Sequence, residues 1–343
     1  MFKRHILAIC VTQCCMATAF AQTITNTELA TKKAMPVAAS VQAEALPTIH
    51  VQAIDSQTTL SSTQLERKNA NNLRNVFDDL AGVNITDTGR SRQLGDIEIR
   101  GMGGMSSNIG FGSNRVSMEI DGMELSQAFN FGHNMSYGRQ YFDPEDLKQV
   151  QIHKGPGSSG FAGSVKFKTK DPSDYLPDGQ KFSTSARLGY RGDIDERMAG
   201  LSIAGQISPQ QSASLSYTHR KYHELDNDGL AVVGTSRTAR NPLDGHSHSA
   251  NAKWVYQPSP TQKFSLTGQY YQFDNDTVYL DRVGRVTTNR ARTTTTTTLA
   301  ESNTSSNQRM AIALQHESKA KTALFDSVSN HLSWQKTKSD ADN

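Results

Sequence analysis

Ile97-Glu98-Ile99-Arg100-Gly101, Arg115-Val116-Ser117-Met118-Glu119-Ile120-Asp121-Gly122 and Val150-Gln151-Ile152-His153-Lys154-Gly155-Pro156-Gly157 are the stretches whose reading decides the fold. Apolar residues take every second position: Ile97 and Ile99, then Val116, Met118 and Ile120, then Val150 and Ile152. A period of two puts them on one face of a half-buried strand, whereas a helix needs steps of three and four. Each run stops at a glycine turn. Val165-Lys166-Phe167-Lys168-Thr169 alternates in the same way. Gly155 to Gly160 has the spacing GxGxxG, but a strand follows it where a dinucleotide site needs a helix N-terminus. Nor does Lys follow Gly160, as a phosphate-binding loop requires.

This order of strands and turns resembles the plug domain of TonB-dependent outer-membrane receptors, with its "IRG" strand, its strand ending in "DG" and its "KGP" turn. Gly163-Ser164-Val165-Lys166-Phe167-Lys168-Thr169-Lys170-Asp171-Pro172 is similar to the last plug strand of the receptors for haemoglobin, haem, transferrin and lactoferrin. The preceding small-residue run, from Ser159 to Val165, is shorter than is usual in that subgroup. The resemblance implies an α+β plug domain over 54–175, followed over 181–343 by the first part of an antiparallel transmembrane β-barrel, incomplete, with about seven strands. It also implies a TonB box at Ile49, His50, Val51, Gln52 and Ala53, the peptide that pairs with the inner-membrane energy transducer. Pro47 favours extended backbone there, and Ile49 and Val51 share a face, which suits addition as a strand to another sheet.

Ahead of the box, Lys3 and Arg4 precede an apolar stretch from Ile6 to Phe20 closed by Ala19-Phe20-Ala21, the pattern of a secretory signal peptide over 1–21. Leu7-Ala8-Ile9-Cys10 is a poor lipoprotein site, because Ile9 is too large. Cys10, Cys14 and Cys15 all lie in the signal, so the mature chain is expected to hold neither disulfides nor thiolate metal sites. Residues 22–53 read as a polar periplasmic linker that ends in the box. A mean hydropathy of −0.57 excludes a helical membrane protein but not a barrel, whose lipid face uses alternate residues. A net charge of +3 with mixed signs leaves no nucleic-acid footprint. Within the plug, Leu73, Val76, Phe77 and Leu80 form a helical stripe, with Asn71 or Asn72 as cap and Gly82 as stop.

From Lys181 onward seven strands are expected, at 181–190, 196–207, 212–221, 249–257, 262–273, 307–317 and 324–335. Ala213, Leu215, Tyr217 and His219 form the outward set of the third, and Trp254 and Tyr256 suit an interface girdle. Short connections near 208–211, 258–261 and 318–323 alternate with long ones at 222–248 and 274–306, as periplasmic turns alternate with extracellular loops. His246 and His248 read as part of a solvated loop, with a metal clip as the alternative, and Thr293 to Thr298 as variable loop surface. Plugged transporters have about 22 strands. At roughly 22 residues per strand, closing one would take about 330 further residues, so the chain reads as an N-terminal portion.

The loop from Ser126 to Phe142 is unusually aromatic. Phe129, Phe131, His133, Tyr137 and Tyr141 are its candidate substrate-binding residues: His133 and Tyr137 are types that ligate haem iron, and the other rings suit a porphyrin face. The plainer alternative is that these rings anchor the loop to the barrel wall. Arg100, Arg115, Glu119 and Asp121 are candidate tethers between plug and wall. The function expected is plug-gated import of haem, or of iron from haem proteins, with haem as transported ligand rather than prosthetic group. The partners are the TonB transducer, haem, haemoglobin or another iron carrier, and the outer-membrane bilayer. A ferric siderophore or transferrin/lactoferrin iron is the alternative cargo, and a passive porin or adhesin the different-class alternative. No paired nucleophile and base, paired carboxylates or clustered metal ligands point to an enzyme.

Overall fold

The computed structural model describes residues 56–68, 72–86, 96–103, 115–125, 129–131, 135–137, 139–156, 160–289, 294–319 and 325–342. The first half holds β1 (Gln57–Leu60), α1 (Ser62–Arg67), α2 (Leu73–Phe77), β2 (Val83–Thr86), β3 (Asp96–Ile99), β4 (Met102–Gly103), β5 (Val116–Ile120), β6 (Met123–Glu124), β7 (Phe129–Phe131), β8 (Met135–Tyr137), β9 (Leu147–Lys154) and β10 (Gly163–Thr169). The alternating runs pair as expected into a five-stranded sheet of order β1-β9-β10-β5-β6, in which β10 runs parallel to β5 and antiparallel to β9. A second sheet joins β2, β3 and β4. Asn72 caps α2, its side chain accepting from the Asn75 amide at 2.9 Å. The unexpected α1 starts with a capping box between Ser61 and Gln64.

The alternate apolar residues meet in one core. Val116, Met118 and Ile120 from β5, Val150 and Ile152 from β9, and Val165 and Phe167 from β10 are buried with Leu73, Val76 and Phe77 of α2 and Ile97 and Ile99 of β3. Phe77 meets Phe167 edge-on at 6.5 Å. Full burial of each such side chain is worth roughly 1.5–3 kcal/mol. Past Gly160 the chain enters the strand β10, as the alternation from Val165 to Thr169 predicts. Gly163 has φ 148°, and a Cβ there would sit 2.3 Å from the His153 carbonyl oxygen, so only glycine lets β10 start this close to β9.

The second half is a seven-stranded antiparallel meander, here called the wall: β11 (Phe182–Arg191), β12 (Glu196–Ser208), β13 (Gln211–His223), β14 (Leu243–Ser259), β15 (Gln262–Val278), then, after the small hairpin β16 (Val286–Asn289) and β17 (Thr294–Thr297), β18 (Ser302–Ser318) and β19 (Val328–Asp342). All seven expected strands are present. Several run further toward the long loops than expected, because alternation there continues in His, Ser, Asp and Asn, which carry no apolar signal. His246 and His248 therefore lie in β14, not in a loop, and Thr294–Thr297 is a strand paired with β16.

The two faces of the wall differ. Leu215, Leu266, Ile312 and Leu314 point outward, and Trp254, Tyr256, Phe264 and His316 form one stacked row across β14, β15 and β18 beside the short turns, with centroids 6.0, 6.1 and 4.3 Å apart. Inward, Ser216, Thr218, Arg220, Ser249, Asn251, Lys253 and Arg309 are buried against the first half. No described helix is long and apolar enough to cross a membrane.

Candidate functional site at the seam between plug and wall

The inward face of the wall is polar because it meets a polar edge of the first domain. Asp143-Pro144-Glu145-Asp146 forms a short 3-10 turn ahead of β9, and Asp143 caps it by accepting from the Glu145 amide at 3.0 Å. This turn presents its carboxylates to β13 and β14. Arg220 of β13 grips Asp143 with two hydrogen bonds, Nε to Oδ2 at 2.7 Å and Nη2 to Oδ1 at 2.9 Å, and donates a third to Glu196 Oε1 at 2.8 Å. All three side chains are at most 5% exposed. A two-pronged guanidinium–carboxylate pair of this kind is fixed in geometry as well as charge.

Asp146 lies deeper. Ser216 Oγ donates to its Oδ1 at 2.5 Å and Ser249 Oγ to its Oδ2 at 3.2 Å. Burial, with the Asp143 charge beside it, pushes its pKa up to about 6, against the smaller opposing pull of the two hydroxyls and Lys170. Asp171, just past β10, has the opposite balance. Its burial would raise the pKa, but Lys253 and Lys263, with Lys148 beyond them, hold the carboxyl well below the usual range. Their Nζ atoms stand 3.3, 2.9 and 3.4 Å from it. Lys253 also donates to the Thr169 carbonyl at 3.1 Å.

A third contact comes from the turn joining β5 to β6. Asp121 and Gly122 have φ of 48° and 76°, both left-handed, as a two-residue hairpin turn requires. In this turn Asp121 accepts from the Thr169 amide and hydroxyl at 2.9 and 2.7 Å and from Gln269 of the wall at 2.8 Å. Gly122 packs against β19, where an added Cβ would lie 3.3 Å from the His331 ring. Arg309 of β18 closes the region by donating to Gln269 at 2.8 Å. Among the described residues no group of three or more His, Cys, Asp or Glu could hold a metal ion.

The family model described as the TonB-dependent Receptor Plug Domain matches residues 51–165. Over these residues the chain is similar to a TonB-dependent receptor plug. The wall lies beyond the matched residues, and its strands have the fold of the solved receptor structures described next. Such receptors transport rather than catalyse. Hemoglobin-binding protein A of Haemophilus influenzae is 28% identical over 236 residues, which cover 63% of this chain and 22% of that protein. The chain thus spans about a fifth of the length of the curated relatives it matches. A mutant of the ferric enterobactin receptor from Pseudomonas aeruginosa superposes with a TM-score of 0.54 at 14% identity, covering 83% of this chain and 41% of that one. The FrpB iron transporter from Neisseria meningitidis gives 0.54 at 16%, covering 84% and 45%. Both show the same fold.

Of the four candidate tethers of the plug, Asp121 alone has a contact with the wall among the described residues. Glu119 instead pairs within the plug with Lys166 at 3.0 Å, because parallel β5 and β10 bring the two side by side. Arg100 and Arg115 are exposed, with no side-chain hydrogen bond or ion pair to a wall strand among the described residues. Of the aromatic loop, Phe129 and Tyr137 are backbone register partners across the hairpin β7–β8, as are Phe131 and Met135. Tyr141 is buried with its ring 6.5 Å from that of Phe273 of the wall, the placement that the anchoring alternative expects. His133 and the box residues Ile49, His50, Val51, Gln52 and Ala53 lie outside the described residues. Asp143, Asp146, Asp171, Arg220 and Lys253 were missed by the sequence reading. A signal was there: Arg220 and Lys253 alternate with lipid-facing residues, so each charge had to meet something inside the barrel.

Proposed function

We propose that this chain is the plug and first wall strands of an energy-coupled receptor that imports haem, or iron taken from haem proteins, across the outer membrane. The observation that carries the reading is the seam. The plug core touches Tyr271 and Phe273 of the wall, but around that apolar contact the plug meets the wall through carboxylates, lysines and arginine, groups that water solvates again once they part. A body built this way can shift as a unit without unfolding. The haemoglobin-binding relatives support haem-protein cargo.

In this reading the cargo meets the β7–β8 hairpin and the long connections 224–242 and 279–301, with His133 and Tyr137 as axial iron ligands and Phe129 and Phe131 against the porphyrin. The transducer adds Ile49–Ala53 as a strand to its own sheet and draws on the plug through the linker. Arg220–Asp143 and the lysines around Asp171 are the contacts that must open. Titrating the detergent-solubilised chain with haem tests the cargo: a saturable Soret shift, lost in His133→Ala or Tyr137→Ala, is expected. No shift, together with no retention of haemoglobin, would sink the haem reading. Loss of transducer capture in Val51→Pro tests the box separately.

A further inference from the structure

The outer face of the wall carries a histidine cluster that the transport reading does not use. His219 of β13 and His248 of β14 are direct cross-strand partners, with ring centroids 4.6 Å apart. His246, two residues before His248 on the same face, has its ring 5.6 Å from that of His248. The pair sits one row beyond Tyr217 and Tyr270, on the side of the long loops. Its neighbours across the sheet are polar: Gln272 beside His248, and Lys221 and Asp274 beside His246. The surface here has left the apolar band of Leu215, Leu266 and Ile312, so a hydrated ion is tolerated.

Each ring is already oriented through one nitrogen. His219 Nδ1 donates to the Ser247 carbonyl at 3.2 Å, which fixes the tautomer and leaves the Nε2 lone pair free. His248 Nδ1 is 2.7 Å from the Tyr217 hydroxyl, an oxygen able to accept the same kind of bond. His246 instead spends Nε2 on Asp274, 3.3 Å away. A ring nitrogen held by a carbonyl or hydroxyl, with the other nitrogen open, is the arrangement of metal-ligating histidines. The spacing agrees. Two imidazoles bound through Nε2 at about 2.0–2.1 Å to one ion, at right angles or slightly wider, hold their centroids roughly 4.5–5 Å apart.

We propose that His219 and His248 form a two-imidazole site for a borderline divalent transition ion, Zn2+, Ni2+ or Cu2+, whose other positions are filled by water. Imidazole suits these ions, and with two protein ligands the site binds reversibly. Bound there, the ion ties β13 to β14 below the 224–242 connection and stiffens the base of that loop. The site lies on the opposite face of the wall from the plug and is independent of the cargo.

Equilibrium dialysis of the detergent-solubilised full chain against Zn2+ tests it. One saturable ion per chain is expected, weakened at least tenfold in His219→Ala and in His248→Ala and unchanged in His331→Ala. Tyr217→Phe should weaken it less than either. A check needing no variant is protection of His219 and His248 from diethylpyrocarbonate by Zn2+, read by mass spectrometry. Cu2+ bound to the native chain should show coupling to two imidazole nitrogens by electron paramagnetic resonance. Absence of saturable binding, binding unchanged in the His219→Ala/His248→Ala double variant, or equal modification with and without Zn2+ would overturn the assignment.

Discussion

Phe167 and Asp171 stand four residues apart and belong to two different kinds of contact. Phe167 lies in the plug core with its ring 4.5 Å from that of Phe142, surrounded by Ile120, Val165 and Phe77. Asp171 lies at the seam, ringed by Lys148, Lys253 and Lys263. Apolar contacts such as those of Phe167 lose their whole value when water reaches them. Ionic contacts exchange one set of partners for another, since a desolvated pair gains back in hydration much of what it loses in attraction. The core therefore keeps the plug a single body, and the seam holds that body in place without welding it to the wall.

Substitutions can break this contrast at either end. Phe167→Ala should cost about 3–5 kcal/mol and loosen the plug itself, seen as lost amide-exchange protection throughout β5, β9 and β10. Asp143→Ala strands Arg220 beside Glu196 alone, with a similar cost of about 3–5 kcal/mol. Its signature should differ, however: protease access at the Asp143–Asp146 turn with protection in β5 and β10 retained. If the core protection were lost as well, plug and wall would be one cooperative unit and the contrast would fail.

Protons give a smaller and sharper test. Asp146 has its pKa raised to about 6, so its contribution to the docked state is complete below the usual carboxylate value and is lost as pH rises through about 6. Asp171 is depressed, so its contribution is present above the usual carboxylate value and is lost as pH falls below it. Asp146→Asn should therefore raise stability at pH 8 by up to about 3 kcal/mol and flatten the profile between pH 4 and 7, as followed by thermal unfolding. An unchanged slope would mean that Asp146 is not the titrating group. The smallest effect belongs to Glu119→Gln. It loosens a half-exposed pair with Lys166 and should cost under about 1 kcal/mol, with no change in protease access at the seam.

Much of the fold was legible because it rests on short periods. Two-residue alternation located β3, β5, β9 and β10 of the plug and all seven wall strands, and Leu73, Val76 and Phe77 located α2, while β1 and the short β4, β6, β7 and β8 carry too few alternating apolar residues to show. The ends of β14, β15 and β18 were not legible, since beyond the apolar band both faces are polar, the inward one buried as Ser247, Asn275 and Ser305, and apolar alternation loses its contrast. The threonine run was taken for a loop because β17 gains its pairing from β16 and not from any burial pattern. The seam was hidden for another reason. Asp143 and Arg220 are 77 residues apart, and nothing in one chain says which inward charge answers which. Asp121, in the "DG" turn, reaches the wall, whereas Glu119, two positions earlier, points to its neighbour in the sheet, a difference that the residue types do not show.

One arrangement in the plug also has a mechanical meaning. β1 is an edge strand of four residues, joined to the sheet through β9 alone, from Gln57 opposite His153 to Leu60 opposite Val150. It is the first strand among the described residues, so tension entering from the N-terminal side reaches β1 before any other of them. The ladder it must overcome is short, while β9, β10 and β5 behind it are paired on both sides. A pull would then peel one ribbon from the rim of the sheet and leave the interior in register. The plug carries its weakest link at the point where a load would first arrive.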